Sequence, residues 1–226
     1  CLEISRHKNI KFSRDASKIL ETLASFASAF LTMQRFSSMQ NEFQRQIIIS
    51  MVSILEIYDN YTKGHSDSVA NCSLKIGARL SLTQKQMKDL YWSGLLHDIG
   101  KILVSPDIVN KPGRLTIQEY EAIKKHPVYG YEVLNKSDQL KDVAVYIKHH
   151  HERWDGNGYP DGLKEEEIPL ISRIIAIADS WDAMRTDRSY RKGLSTSQAI
   201  KEMRENSGKQ FDPEILEVFL RMMSEE

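Results

Sequence analysis

One run of residues interrupts this chain more sharply than any other, Asp155-Gly156-Asn157-Gly158-Tyr159-Pro160-Asp161-Gly162. Its three glycines and one proline cannot continue a helix, so the run must be a loop. From Asp59 onward the other signals are helical, joined by short connections. Thr116-Ile117-Gln118-Glu119 and Ser195-Thr196-Ser197-Gln198 fit the capping box, in which the two end side chains satisfy each other's orphan backbone donors. Asp212-Pro213 reads as an N-cap followed by proline in the first helical position. Thr83 precedes a helical segment read as running to Lys101. Strand signals are nearly absent outside the extreme N-terminus, so the expected fold class is all-α.

A chain of 226 residues can bury one sizeable core. Its 31 basic and 31 acidic residues cancel, so the charge balance calls for neither bulk nucleic acid nor an anionic membrane surface. Phosphate recognition, if present, must be local. Cys1 and Cys72 are too few for a disulfide framework or a thiolate metal site, which points to a reducing, cytoplasmic compartment and to nitrogen and oxygen as metal ligands. No stretch approaches the roughly 18 to 20 apolar residues of a membrane span. The chain starts at Cys1 without an initiator Met, and a fragment of a longer protein is expected.

The N-terminal part reads differently. Residues 1–36 hold a short apolar start, a polar turn through Arg6-His7-Lys8-Asn9, and an apolar stripe of Leu20, Leu23, Ala24, Ala27 and Phe30 at helical spacing. Residues 37–58 have few breakers and keep Phe43, Ile47, Ile48, Met51, Val52 and Leu55 near the same spacing, a long connecting helix. Such a striped helix usually pairs with another, so a parallel homodimer through it is expected.

The chemistry concentrates further on. Six of the seven histidines lie between positions 65 and 151, several beside carboxylates. Leu95-Leu96-His97-Asp98-Ile99-Gly100-Lys101 sets Asp98 in an apolar stretch, where an unpaired carboxylate is costly to bury and a metal ion removes the cost. Lys101 follows His97 by four residues, one helix face, where it would hold a phosphate oxygen. His149, His150 and His151 are consecutive, and helical neighbours diverge by about 100°, so at most two converge on one centre. Asp179 ends the apolar run Ile174-Ile175-Ala176-Ile177-Ala178. A lone surface histidine such as His7 needs no role, but a whole set of converging polar groups would each need a separate explanation if none were functional.

Four segments in order carry a resemblance: Asp59-Asn60-Tyr61-Thr62-Lys63-Gly64-His65-Ser66, His97-Asp98-Ile99-Gly100-Lys101, His150-His151-Glu152-Arg153-Trp154-Asp155-Gly156-Asn157-Gly158-Tyr159-Pro160, and Ala178-Asp179-Ser180-Trp181-Asp182-Ala183-Met184. Over roughly residues 50 to 222 the chain closely resembles the HD-GYP family, which hydrolyses the bacterial second messenger cyclic di-GMP on a helical HD core. The resemblance implies an HD-type helical bundle over residues 59–226. It implies His65, His97, Asp98 and Asp179 as ligands of one divalent metal and Asp98, His126, His150 and His151 as ligands of a second, with Asp98 bridging. His149 has no place in that scheme and is expected beside it or at the surface.

The resemblance further implies Asp98 and Lys101 as catalytic residues, with Lys101 on a non-bridging phosphate oxygen and Tyr159 shaping the pocket. Asp182, Ala183, Arg188 and Arg191 are implied contacts to base and phosphate. Two cations would lower the pKa of a bridging water and neutralise charge in the transition state, giving the linear dinucleotide pGpG or GMP. Imidazole and carboxylate ligands suit iron or manganese, with zinc behind them, and are not a typical magnesium cage. Where some family members use a glutamate four residues before the first histidine for a third metal, this chain has Tyr61, so two metals are expected. Residues 1–36 resemble the closing strand and last helix of a GAF-type sensory domain; a generic helix packing on a dimer partner is the other reading. The alternatives to a cyclic di-GMP hydrolase are a hydrolase of another cyclic dinucleotide or nucleotide, or a silent cyclic di-GMP-binding module. The intact ligand set argues against the last.

Overall fold

The computed structural model describes residues 14–59, 64–187 and 192–225. The described elements are all helical, and the sole β-type pairing among them is an isolated bridge between Ser207 and Phe211. The chain divides into two compact units, residues 1–51 and 52–226. The first consists, in its described part, of most of α1 (Arg14–Tyr58), 45 residues without a glycine or proline. Lacking a breaker, α1 passes the boundary expected at residues 36 and 37 without interruption. The strand expected near the N-terminus lies outside the described residues.

The second unit holds α2 (His65–Arg79), α3 (Gln84–Leu96), α4 (Pro106–Val109), α5 (Ile117–Ile123), α6 (His126–Leu134), α7 (Lys141–Lys148), α8 (Leu170–Arg185), α9 (Thr196–Glu205) and α10 (Pro213–Glu225). Two 3-10 turns, Ile99–Leu103 and Glu165–Glu167, lie among them. Helix α8 is the centre. Ile171, Ile174, Ile175, Ile177 and Ala178 are all buried, and a helix apolar on most of its circumference belongs inside. Around it pack Val69 and Ile76 of α2, Leu90 of α3, Met203 of α9 and Phe219 of α10. Each such side chain stabilises the fold by roughly 1.5–3 kcal/mol through burial.

The local signals hold. Thr116 with Glu119 and Ser195 with Gln198 form reciprocal capping boxes, and Thr83 with Gln86 forms a third. Asp212 Oδ1 accepts from the backbone N–H groups of Glu214 and Ile215 at 2.8 and 3.2 Å, with Pro213 opening α10. Its other oxygen takes the Arg173 guanidinium at 2.7 Å.

Two helix ends differ from expectation. The segment after Thr83 does not run as helix to Lys101: α3 stops at Leu96, and Ile99–Leu103 tightens into a 3-10 turn. The α6 backbone lies directly against that turn. A Cβ on Gly100 would stand 1.9 Å from the His126 carbonyl oxygen and 2.5 Å from the Gly130 nitrogen, so only glycine allows this approach. Likewise α7 ends at Lys148, and the three histidines occupy the turn beyond it.

Candidate metal centre

Apart from Asp179, which sits within α8, the expected ligands stand at helix ends. His65 opens α2 behind Gly64, whose positive φ of 74° turns the chain into the helix. His97 caps the end of α3, His126 opens α6, and His150 and His151 follow α7. Three of these imidazoles share one local geometry. Nδ1 of His97 bonds the Gly94 carbonyl at 2.8 Å, that of His126 the Ile123 carbonyl at 2.8 Å, and that of His150 the Ile147 carbonyl at 2.5 Å. Each bond satisfies a carbonyl in the last turn of α3, α5 or α7 that the helix itself leaves open. It also puts the proton on Nδ1 and leaves the Nε2 lone pair facing inward.

Those inward atoms have no hydrogen-bond partner: Nε2 of His97, His126 and His150 are all buried and unsatisfied. Unpaired buried polar atoms are rare, and imidazole lone pairs left this way fit a cation. His65, His97 and Asp98 each offer a ligand atom within 4.8 Å of the others, and so do His126, His150 and His151. Asp98 stands between the groups, Oδ2 at 3.3 Å from His97 Nε2 and Oδ1 at 3.2 Å from His126 Nε2. The His150 and His151 rings lie 4.0 Å apart, and His151 is 5.1 Å from His126, centre to centre. Asp179 joins through His65, its Oδ1 at 3.3 Å from Nε2. The residues of each group therefore fit a metal ion.

Protonation favours ligation. Burial, and then the neighbouring imidazoles, hold His150 well below the ordinary histidine range, and burial with His126 pushes His151 down to about 3, so both rings are neutral. Burial would raise the Asp98 carboxyl, yet the Lys101 ammonium holds it well below the usual range. His65 behaves oppositely. Burial works against its charge, but Asp179 and Asp182 outweigh it and lift the ring to about 10. That favours the protonated ring, and a cation taken by Nε2 would displace the proton.

Among the described residues, those expected to meet substrate fall into three groups. Lys101 is partly buried, with its ammonium 2.7 Å from Asp98 Oδ2 and 3.1 Å from Asp59 Oδ2. It belongs to the 3-10 turn, not to one helix face with His97, and meets Asp98 three residues back. The Asp182 carboxylate is engaged by His65, Oδ2 at 2.6 Å from Nδ1, and Ala183 follows it on α8. Tyr159 packs its ring 5.0 Å from that of His151, with Lys124 Nζ 5.2 Å above it. Tyr61, Arg188 and Arg191 lie outside the described residues.

The breaker-rich loop is fixed at several points. The Tyr159 N–H donates to the His151 carbonyl at 3.2 Å, and Trp154 and Asp155 donate to the carbonyls of Gln210 and Lys209. Glu152, buried, accepts the Asp161 N–H at 2.8 Å. His149 is buried rather than at the surface, with Nδ1 3.6 Å from Glu152 Oε1. Sequence reading gave no role to Asp59 or Glu152, although both stand inside the quoted motifs; their partners, Lys101 and the Asp161 amide, are distant enough in the chain that no local pattern pairs them.

The model of the HD domain family matches residues 50–215. This chain belongs to the HD domain family. A cyclic di-GMP phosphodiesterase of Thermotoga maritima is 36% identical over 196 residues, 86% of this chain and 53% of the relative. A 3'3'-cGAMP-specific phosphodiesterase of Vibrio cholerae is 38% identical over 168 residues, 74% of this chain and 36% of the relative. This HD-domain chain thus spans about half the length, or less, of these curated relatives. The crystal structure of a cyclic GMP-AMP specific phosphodiesterase in Vibrio cholerae shares the fold, with a TM-score of 0.63 at 24% identity over 79% of this chain and 48% of that one. No described helix is long and apolar enough to cross a membrane.

Proposed function

We propose that this HD-domain chain hydrolyses a phosphodiester bond of cyclic di-GMP, giving pGpG or GMP, with two divalent ions held by His65, His97, Asp98 and Asp179 and by Asp98, His126, His150 and His151. The observation that carries this reading is Asp98, whose two oxygens face imidazoles of two separate ligand groups. Bound there, the ions, iron or manganese ahead of zinc, would activate water and offset charge developing on the phosphate. The chain's own part is positional. Neutral His150 and His151 present lone pairs without a proton to remove, and the carbonyl bonds behind His97, His126 and His150 keep their rings from turning. Lys101 brings positive charge to a phosphate oxygen beside Asp98. Tyr159, its ring tilted against that of His151, forms the wall on which a guanine or the sugar-phosphate ring rests. Asp182, Ala183, Arg188 and Arg191 complete the contacts to base and phosphate.

The names of the relatives support two substrates, cyclic di-GMP and 3'3'-cGAMP, and the intact Gly158-Tyr159-Pro160 loop favours such a hydrolase over a plain HD nucleotide phosphohydrolase. The test is anaerobic purification, metal counting, and turnover of both dinucleotides by wild type and Asp98→Ala. Two metals per chain and turnover that vanishes in the variant are expected. A stoichiometry near three overturns the two-metal reading, and metal-loaded protein no faster than Asp98→Ala makes the chain a silent binding module.

The chain also pairs with a second copy through α1 in this reading, in a cytoplasmic setting. Phe26, Phe30, Phe36 and Phe43 stand 61–70% exposed along the helix, beside exposed Met33 and Met39. Their spacing of three and four residues is that of a coiled-coil seam. Sedimentation of wild type against Phe30→Glu with Phe36→Glu checks it, a monomeric wild type being the contrary result.

A further inference from the structure

The end of α1 is fastened to the turn that carries Asp98. Tyr58 Oη donates to the Val104 carbonyl at 2.5 Å, and Asn110 Nδ2 donates to the Tyr58 carbonyl at 2.8 Å. Asp59, the residue after the helix, turns its carboxylate inward, where it is 3% exposed and takes Lys101 Nζ at 3.1 Å. The same ammonium reaches Asp98 Oδ2 at 2.7 Å. None of the ligand groups needs Asp59, and a buried carboxylate is costly unless it is paired. Lysine carries its charge on a flexible four-carbon stem, so partners and not the stem decide where the charge sits. With Asp98 alone the ammonium would settle on that carboxylate. Asp59 gives it a second carboxylate.

We propose that Asp59 is a positioning residue: it holds the Lys101 ammonium between the end of α1 and Asp98, so that the connecting helix sets where positive charge meets the substrate phosphate. The proposal rests on the role given above to Lys101 in cyclic dinucleotide hydrolysis. A movement at the end of α1 then reaches the reaction through Lys101 and does not require His65 to move.

The experiment compares wild type, Asp59→Asn, Lys101→Met and the double variant, all metal-loaded, by turnover of cyclic di-GMP and by denaturant unfolding. Asp59→Asn is expected to lower kcat about tenfold, within the coupling range of contacting residues, at unchanged metal content. In the Lys101→Met background the same change should cost less than about twofold, and the unfolding cycle should show coupling of at least about threefold. Additive losses in either cycle overturn the proposal. Should Asp59→Asn fail to fold, Asp59→Glu decides, since it keeps the charge and should retain most of the turnover; a Glu variant as slow as Lys101→Met overturns the proposal. A wild type without turnover removes the reading of function instead, and the unfolding cycle still decides whether Asp59 positions Lys101.

Discussion

Gly100 lies so close to His126 that a Cβ at position 100 would stand 1.9 Å from the His126 carbonyl oxygen. The contact is backbone against backbone, so no side chain can give way. It brings the turn carrying Asp98 onto the start of α6 and thereby sets Asp98 Oδ1 3.2 Å from His126 Nε2. Gly100→Ala is expected to destabilise the fold by about 3 kcal/mol or more, in the range of severe overpacking, and to uncouple the two ligand groups. Thermal unfolding together with metal content checks this. A variant with wild-type stability and metal would mean that α6 yields more easily than its geometry implies.

Asp182 holds His65 from behind, Oδ2 to Nδ1 at 2.6 Å, an arrangement that orients a ligand imidazole and strengthens it. Asp182→Ala should therefore weaken metal binding by about 10- to 100-fold. Titration of chelator-stripped protein with metal measures it. Unchanged metal affinity with a raised KM would assign Asp182 to the substrate alone.

The metal-free protein should be most stable near pH 6.5. His65 is raised from 6.5 to about 10 by Asp179 and Asp182 against the opposing effect of burial, so its contribution is complete below 6.5 and is lost as pH rises towards 10. His151 is lowered from 6.5 to about 3 by burial, and His150 is lowered as well, so the unfolded chain takes up protons there that the fold refuses, and stability falls as pH drops from 6.5. The depressed carboxyl of Asp98 acts in the same direction at more acid pH. Urea midpoints of stripped protein at pH 5, 6.5 and 8.5 should trace a dome, and a midpoint that climbs steadily to pH 8.5 would contradict it.

Asp212 does two jobs, capping α10 with one oxygen and pairing Arg173 with the other. Arg173 is mostly buried and its Nε has no partner, so losing Asp212 leaves an uncompensated charge inside. Asp212→Ala is expected to cost about 3–5 kcal/mol for the stranded charge and about 1 kcal/mol for the cap. Arg173→Met, which leaves the cap in place, should cost less. Calorimetry of the two variants compares them, and equal losses would refute the division.

The sequence by itself determined the all-α class, the capped helix starts and the loop at residues 155–162, because caps, periodicity and breakers act within a few residues of chain. It did not determine how helices end at the site. Nothing local says that α3 stops at Leu96 or α7 at Lys148; those ends are imposed where the α6 backbone meets Gly100 and where the histidine turn folds back on Tyr159. Only tertiary structure decided the partners of Asp59, Asp182 and Glu152, since Lys101, His65 and the Asp161 amide reach them across 42, 117 and 9 residues. A buried charge chooses its partner by proximity in space, and proximity over such separations follows from packing around α8 and not from any pattern along the chain.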